Sequence, residues 1–382
     1  MAETIKEKSE LLFLYETSYN IPNGDPFTGE QRYDEETKKI LVSDVRIKRF
    51  VRSYLEDNKG MTIYVSNKEG ITDAKKRIEA LATKQVDESA SSDIGDILKT
   101  CIDVRLFGGI STLNDDDTKN IKVKDKECSN GHVQYTGPVQ FAFLNPSLNK
   151  VVMRMHQNTS HFSSDSNNNQ GTIGTTTVVP YSVMQIHGWI NPKVAESTGM
   201  TDDDKKLFME GLWYGTGGEG SSFSRSKIGQ DSLLLLELVY SEVKKKCYGV
   251  DRLIKITPKD GKKEEQLRSL DDYDFDFSEL AKIVADKRIA KLRYYTEVDT
   301  IKNVLTESIK KELKEVLVKD LEESIRKEIE DTKEEEKEEK VKKKLEEEKQ
   351  GKTFEIKLDE AIKSKFVEIE FGTNKQSSIV NQ

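Results

Sequence analysis

Apolar residues fall in short runs whose period changes along the chain. Leu11–Tyr15 is continuous, the pattern of a strand buried on both faces, and a strand is expected over 11–17. It runs into Asn20-Ile21-Pro22-Asn23-Gly24-Asp25-Pro26. Two prolines there fix φ and Asn-Gly readily supplies positive φ, so a stiff, tight turn is expected. Over 43–57 the period lengthens to that of an amphipathic helix. Val45, Ile47, Phe50, Val51 and Leu55 can face a core, with Arg46, Lys48, Arg49 and Arg52 between them. Ser43 is placed to cap this helix and Asp44 to sit in its first turn.

Further on, the pattern predicts a strand-like piece at Met61–Val65 and helices at Thr72–Thr83 and Ile94–Thr100. Strands follow at Val133–Tyr135, Val139–Phe143 and Val151–Met155. The Asn/Ser/Thr/Gly-rich stretch 156–177 has no apolar period and reads as a mobile loop or hairpin tip. Val178–Ile190 is a strong strand, Thr201 caps a helix over Asp202–Tyr214, and Ser232–Tyr240 is a strand. Phe275–Tyr295 reads as helical. Leu305, Ile309, Leu313, Leu317, Leu321, Ile325 and Ile329 recur every four residues, one stripe of a long charged helix. Thr353–Leu358 and Phe366–Phe371 look strand-like around a short helix.

With 58–130 set aside as an insertion, the order is strand, helix, strand, strand, helix, strand. That is an α+β chain with the ferredoxin-like or RRM-like βαββαβ order. The expected core is 1–57 and 131–255, with a hairpin about 146–177. A helical region, 256–382, follows, and its terminal strands return to the core. RRM modules bind single-stranded RNA through stacking aromatics on their sheet. No RNP1-type aromatic motif is present here, so that platform is not expected.

The net charge of −8 argues against a chain that coats nucleic acid with its whole surface, but leaves room for a local basic groove. Residues 118–200 hold seven Lys/Arg against four Asp/Glu, so the acid excess is uneven. Cys101, Cys128 and Cys247 are odd in number and scattered, with neither a disulfide framework nor a zinc-type pair. That suits a reducing cytoplasm. The N-terminal residues carry no apolar leader, and the most apolar run, Leu233–Leu236, is too short to span a bilayer, so no membrane partner is expected.

Chemistry-bearing motifs are few. Gly215-Thr216-Gly217-Gly218-Glu219-Gly220 matches a dinucleotide fingerprint in letters, but a helix precedes it and a Ser-rich loop follows, the reverse of the required context. A connecting loop is the plainer reading. Ser222, Arg225 and Lys227 beside it can donate to phosphates. His156 and His161 lack an evident third metal ligand, His187 alternates within a strand, and no Ser/His/Asp or Cys/His arrangement is visible. No cofactor is expected. Asp25, Asp34 and Asp44 can be Mg²⁺ ligands of an RNA-cutting site, or turn and helix-start residues. The basic residues of 43–57 can be a phosphate-binding face or a solvated one.

Several of these stretches together resemble the CRISPR Cascade backbone subunits, the repeat-associated proteins of type I systems, closest to subtypes I-B and I-C. They are Asn20 to Pro26, Arg32-x-Asp34, Leu41 to Arg52, Asp103 to Gly108, Gly137 to Phe141, Gly174 to Tyr181, and Gly188 to Ala195. The likeness covers about residues 8–255. The family's usual Asn-Pro is Asn20-Ile21-Pro22 here, and the charged stretch past 300 is longer than the family pattern. The resemblance implies an RRM-like palm, fingers at 58–130 and a thumb hairpin at 146–177. It implies copies stacked head to tail along one guide RNA (crRNA), beside the large, small and crRNA-end-binding Cascade subunits, with target DNA reached through the guide. The expected RNA contacts are Asn23, Gly24, Arg46, Lys48, Arg49, Arg52, Met155, His156, Asn158, Phe162, Ser222, Arg225 and Lys227, with no catalytic or metal residue. The alternative is a metal-dependent, RNA-cleaving subunit of the type III kind.

Overall fold

The computed structural model describes residues 3–66, 68–71, 73–85, 91–159, 173–217, 228–329 and 334–371. It is a mixed α/β protein built on a seven-stranded sheet. The elements that position the site are β1 (Ser9–Asn20), α1 (Asp44–Asp57), β2 (Val139–Phe141), β3 (Ile173–Ile190), α2 (Asp202–Gly215) and β4 (Gln230–Tyr240). After them come β5 (Ile289–Tyr295), α3 (Asp299–Glu328), α4 (Glu334–Lys349), α5 (Lys352–Lys365) and β6 (Phe366–Glu368). The strands run in space β3-β1-β4-β5-β6. Both β2 and a strand at Arg154–Thr159 pair with β3. All pairs are antiparallel except β5–β6, which is parallel.

The continuous apolar run of β1 follows from burial on both faces. Leu11, Phe13 and Tyr15 point into one core with Ile47, Phe50 and Val51 of α1 and Phe208 and Leu212 of α2. Leu12 and Leu14 point into the other, with Leu253, Ile254, Phe277, Leu280, Leu305 and Ile309. Helices α1 and α2 pack closely because α2 presents glycines. A Cβ on Gly215 would stand 2.6 Å from the Phe50 carbonyl oxygen, and one on Gly211 3.1 Å from Val51 Cγ1. Capping is as the sequence suggests for α2, where Thr201 Oγ1 accepts the Asp204 N–H and the Asp204 carboxylate accepts the Thr201 N–H.

The region between α1 and β2 carries its own apolar cluster, with Ile78, Leu81, Ile94, Ile97, Leu98, Val104, Ile121 and Val123. Asp103 anchors it to α1. Fully buried, its carboxylate accepts the N–H groups of Tyr64 (2.7 Å) and Val65 (3.1 Å) and Arg52 Nε (2.9 Å). Arg105 makes a two-pronged ion pair with Asp204 of α2, at 2.9 and 2.7 Å. Gly108 sits at φ +85°, and a Cβ there would meet the Tyr135 carbonyl oxygen at 2.3 Å.

Several secondary-structure expectations need correction, and the strand expected over Val151–Met155 begins only at Arg154. Met61–Val65 forms no strand. Phe275–Tyr295 is not one helix: the strand Tyr273–Asp276 and the helix Ser278–Ala285 lead into β5, because burial alternates at Tyr273, Phe275 and Phe277 and again at Leu292 and Tyr294. Thr353–Leu358 is helical within α5, since Phe354, Leu358 and Ile362 recur at helical spacing and pack inward. Both ends of the polar stretch 156–177 are strand, paired from Arg154↔Val178 to Thr159↔Ile173. The apolar stripe of α3 serves two partners. Leu305, Ile309 and Leu313 join the sheet core, whereas Ile325 packs with Val341 and Leu345 of α4. No helix among the described residues is long and apolar enough to cross a membrane.

Candidate nucleic-acid interface

One end of the sheet collects the turn, the start of α1 and the hairpin. Asn20 at the end of β1 lies opposite Val179, and the next residue of β3, Val178, lies opposite Arg154. Thr17 lies opposite Gln230 at the start of β4. The Asn20 side chain donates to the Ile228 carbonyl and accepts the Ile21 N–H at 2.7 Å, tying the turn to the segment before β4. Helix α1 begins beside the turn, the Ser43 N–H reaching Asn23 Oδ1, and its Asp44 N–H donates to the Phe143 carbonyl at 3.2 Å.

The turn is held from within. Asn23 is 7% exposed; its N–H donates to Gln31 Oε1 (2.8 Å) and its Oδ1 accepts the Ser43 N–H (2.7 Å). That bond, not a Ser43 side-chain cap, fixes the entry into α1, and the Ser43 hydroxyl makes no cap bond. The Asn23 side chain is therefore a brace of the loop. Gly24 is not in the left-handed region, contrary to the expectation from Asn-Gly; Tyr19 and Gly29 take positive φ instead. The Gly24 carbonyl accepts a hydrogen bond from Arg32 Nη1 at 2.8 Å.

The aspartates are turn residues. Asp25 Oδ1 accepts the Phe27 N–H at 2.9 Å, and its Oδ2 lies 3.3 Å from Arg32. The Asp34 carboxylate accepts from the Thr37 hydroxyl (2.6 Å) and the Glu36 N–H (3.1 Å), which together hold its pKa below the usual carboxylate value. Asp44 pairs with Lys48 at 3.0 Å, one helical turn on. Among the described residues no three His, Cys, Asp or Glu side chains gather as for a metal ion.

The four basic residues of α1 divide. Arg52 is committed to Asp103 and lies 5.2 Å over the Phe107 ring. Lys48, its side chain 14% exposed, reaches Asp44 and, at 3.4 Å, Gln140 Oε1. Arg46 is half-buried, 4.8 Å over the Phe50 ring, and burial pulls its pKa below the usual value. Arg49 is half-buried and makes no hydrogen bond or ion pair among the described residues. Val45 is 65% exposed, because it falls outside the stripe of positions 47, 50, 51, 54 and 55 that faces the core.

Arg154, Met155, His156 and Gln157 are exposed on the outer strand of the hairpin, and Met155 shows 71% of its surface. Asn158 lies on that strand opposite Gly174. Its side chain, and Phe162, His161, Ser222, Arg225 and Lys227, lie outside the described residues. Gly215 is the packing residue that closes α2, so the glycine motif begins inside a helix. His187 is a satisfied sheet residue, its Nε2 3.0 Å from Glu10 Oε2. The sequence reading missed Tyr19, exposed at this same end, and Phe27, exposed on the loop beyond the turn (61% and 96%). Aromatic letters beside a Pro-Asn-Gly turn were the available signal.

The sequence model of the family described as CRISPR-associated protein Cas7 matches residues 7–278. The chain belongs to the Cas7 family. The CRISPR-associated protein Cas7 of Haloferax volcanii is 30% identical over 299 residues, 74% of this chain and 85% of that relative. Among solved structures, a chain of a CRISPR RNA-guided surveillance complex, pre-nicking, aligns at 12% identity and a TM-score of 0.42 over 76% of this chain and 93% of that one. A chain of a Type III-B Cmr-beta complex bound to cognate target RNA aligns at 12% identity and a TM-score of 0.32 over 59% of each. The Cas7 match ends at residue 278, so β5, α3, α4, α5 and β6 lie beyond it.

Proposed function

We propose that this Cas7-family chain is a non-catalytic backbone subunit of a type I surveillance complex of the Cascade kind. Its copies follow one another head to tail along a crRNA, with the large, small and crRNA-end-binding subunits as neighbours and target DNA paired through the guide. The observation that carries the reading is the gathering, at one end of the sheet, of a braced turn, the basic start of α1 and an exposed hairpin. The spatial order β4-β1-β3-β2 with α1 and α2 over one face supports a ferredoxin-like palm from 1–57 and 131–255. The separate apolar cluster supports fingers at 58–130, and the Arg154–Thr159 pairing supports a thumb within 146–177.

Both sheet faces are covered, so RNA would meet the end of the sheet rather than its face. Arg49 is the α1 residue left to meet a phosphate, since Arg52 and Lys48 are paired within the chain. Asp25 and Asp34 are bonded into their own turns, which favours the scaffold over the RNA-cutting reading. Charge reversal at Arg49 is expected to abolish co-purification of guide RNA, and full loading of that variant would refute the phosphate role. In the assembled wild-type complex with complementary RNA and Mg²⁺, periodic cleavage that vanishes in Asp25→Ala or Asp34→Ala would overturn the non-catalytic reading.

A further inference from the structure

Tyr19 combines two costs that a fold ordinarily avoids. It holds a left-handed backbone, φ +46°, although it carries a bulky aromatic side chain, a conformation that is a genuine outlier for such a residue. It also leaves its ring 61% exposed. Among the described residues the ring makes no stack or cation–π contact and the hydroxyl no hydrogen bond. The strain is imposed from both sides. Ser18 is paired with Tyr181 and Asn20 with Val179, while the Asn20 side chain is bonded to the Ile228 carbonyl. The surroundings therefore hold an aromatic ring out at the sheet end rather than letting it relax inward.

Phe27, 96% exposed, stands on the neighbouring turn. That turn is not loose. Asp25 N–H donates to the Glu30 carbonyl (2.7 Å), Gly29 N–H to the Asp25 carbonyl (2.8 Å) and Arg32 N–H to the Asn23 carbonyl (3.1 Å). The base of the hairpin, with Arg154 exposed, begins directly across β3 from the end of β1.

We infer that the exposed rings of Tyr19 and Phe27 each stack on an unpaired nucleobase, Tyr19 setting the position of the guide at the sheet end, while Arg49 of α1 holds a phosphate. Aromatic rings stack on bases of any sequence, which suits a subunit that must accept every guide, and stacking is largely insensitive to salt whereas phosphate contacts are not. The inference rests on the RNA-binding reading above.

The test uses the full chain, a fluorescein-labelled oligouridine, and anisotropy titrations over a range of salt. Tyr19→Ala is expected to weaken binding about tenfold, with Tyr19→Phe within about twofold of wild type and Phe27→Ala intermediate. The slope of log affinity against log salt should stay unchanged in Tyr19→Ala and flatten in Arg49→Ala. Tyr19→Gly separates binding from folding. Glycine accepts the left-handed backbone, so the melting temperature of the RNA-free chain should hold or rise while RNA affinity falls as in Tyr19→Ala. Wild-type affinity in Tyr19→Ala, or losses that track the folded fraction across the Tyr19 series, would overturn the platform and leave the RNA-binding reading standing. A wild-type chain that binds no oligouridine would overturn both.

Discussion

The two ends of the central sheet treat charge and aromatic area in opposite ways. Near the start of β1, charges are buried and matched. Glu237, 1% exposed, receives Lys205 at 2.6 Å and Arg293 at 2.8 Å, and Arg293 and Lys291 reach Glu7 at 2.6 and 2.9 Å. Beside them the Tyr240 hydroxyl donates to Glu10 at 2.7 Å, and Glu10 also holds His187. At the far end Tyr19 and Met155 are exposed and Arg154 is solvated, while Arg49 of α1 is unpaired among the described residues. One end uses polar groups to tie α2, β4 and β5 together. The other holds its backbone rigid and leaves side chains presented outward. Residue type alone does not distinguish an arginine tied into the fold from one left unpaired; the burial of its partner does.

The largest effect should come from the paired end. Glu237→Ala leaves Lys205 and Arg293 buried beside a vacant position, which is expected to cost about 3–5 kcal/mol in chemical denaturation. RNA bound per folded molecule should be unchanged, and a selective loss of RNA binding would break the contrast between the ends. Arg52→Ala strands the buried Asp103 carboxylate and is expected to cost about 3 kcal/mol, whereas Arg49→Ala should stay within about 0.5 kcal/mol and act on RNA affinity instead. If Arg49→Ala destabilised the chain as much as Arg52→Ala, the division of the helix would be wrong.

A smaller effect is acid sensitivity. Burial alone would raise the Glu7 carboxyl, but hydrogen bonds from Lys291 and Arg293 outweigh it and hold it at about 2, below its ordinary 4.5. Burial likewise opposes ionisation of Glu237, and the charges of Lys205 and Arg293 outweigh it. A carboxyl whose folded pKa is depressed contributes stability above its unfolded pKa and loses it as pH falls toward the folded value. The denaturation midpoint should therefore drop as pH falls from about 5 toward about 2, and Glu7→Gln should flatten that drop.

Much of the frame was legible because it is local. The continuous run at Leu11–Tyr15, the stripe of α1 and the Thr201-to-Asp204 cap each sit within a few residues. Phe275–Tyr295 was misread because two period-2 stretches flank a helix of eight residues, and a window across all three blurs them. The site was harder. Arg46, Lys48, Arg49 and Arg52 look alike as letters, and only the partners Asp103 and Gln140, 51 and 92 residues away, sort them. The strain at Tyr19 was out of reach, because it arises from strands that close over it from positions far along the chain.

The central claim is that this chain lines a guide RNA in several copies. Its most direct test is the mass and absorbance ratio of the full-length chain purified from cells that supply guide RNA, by light scattering in line with size exclusion. A ribonucleoprotein several times the mass of the 43.6 kDa chain, with absorbance at 260 nm raised by bound RNA, is expected. A monomer with the absorbance ratio of protein alone would contradict it.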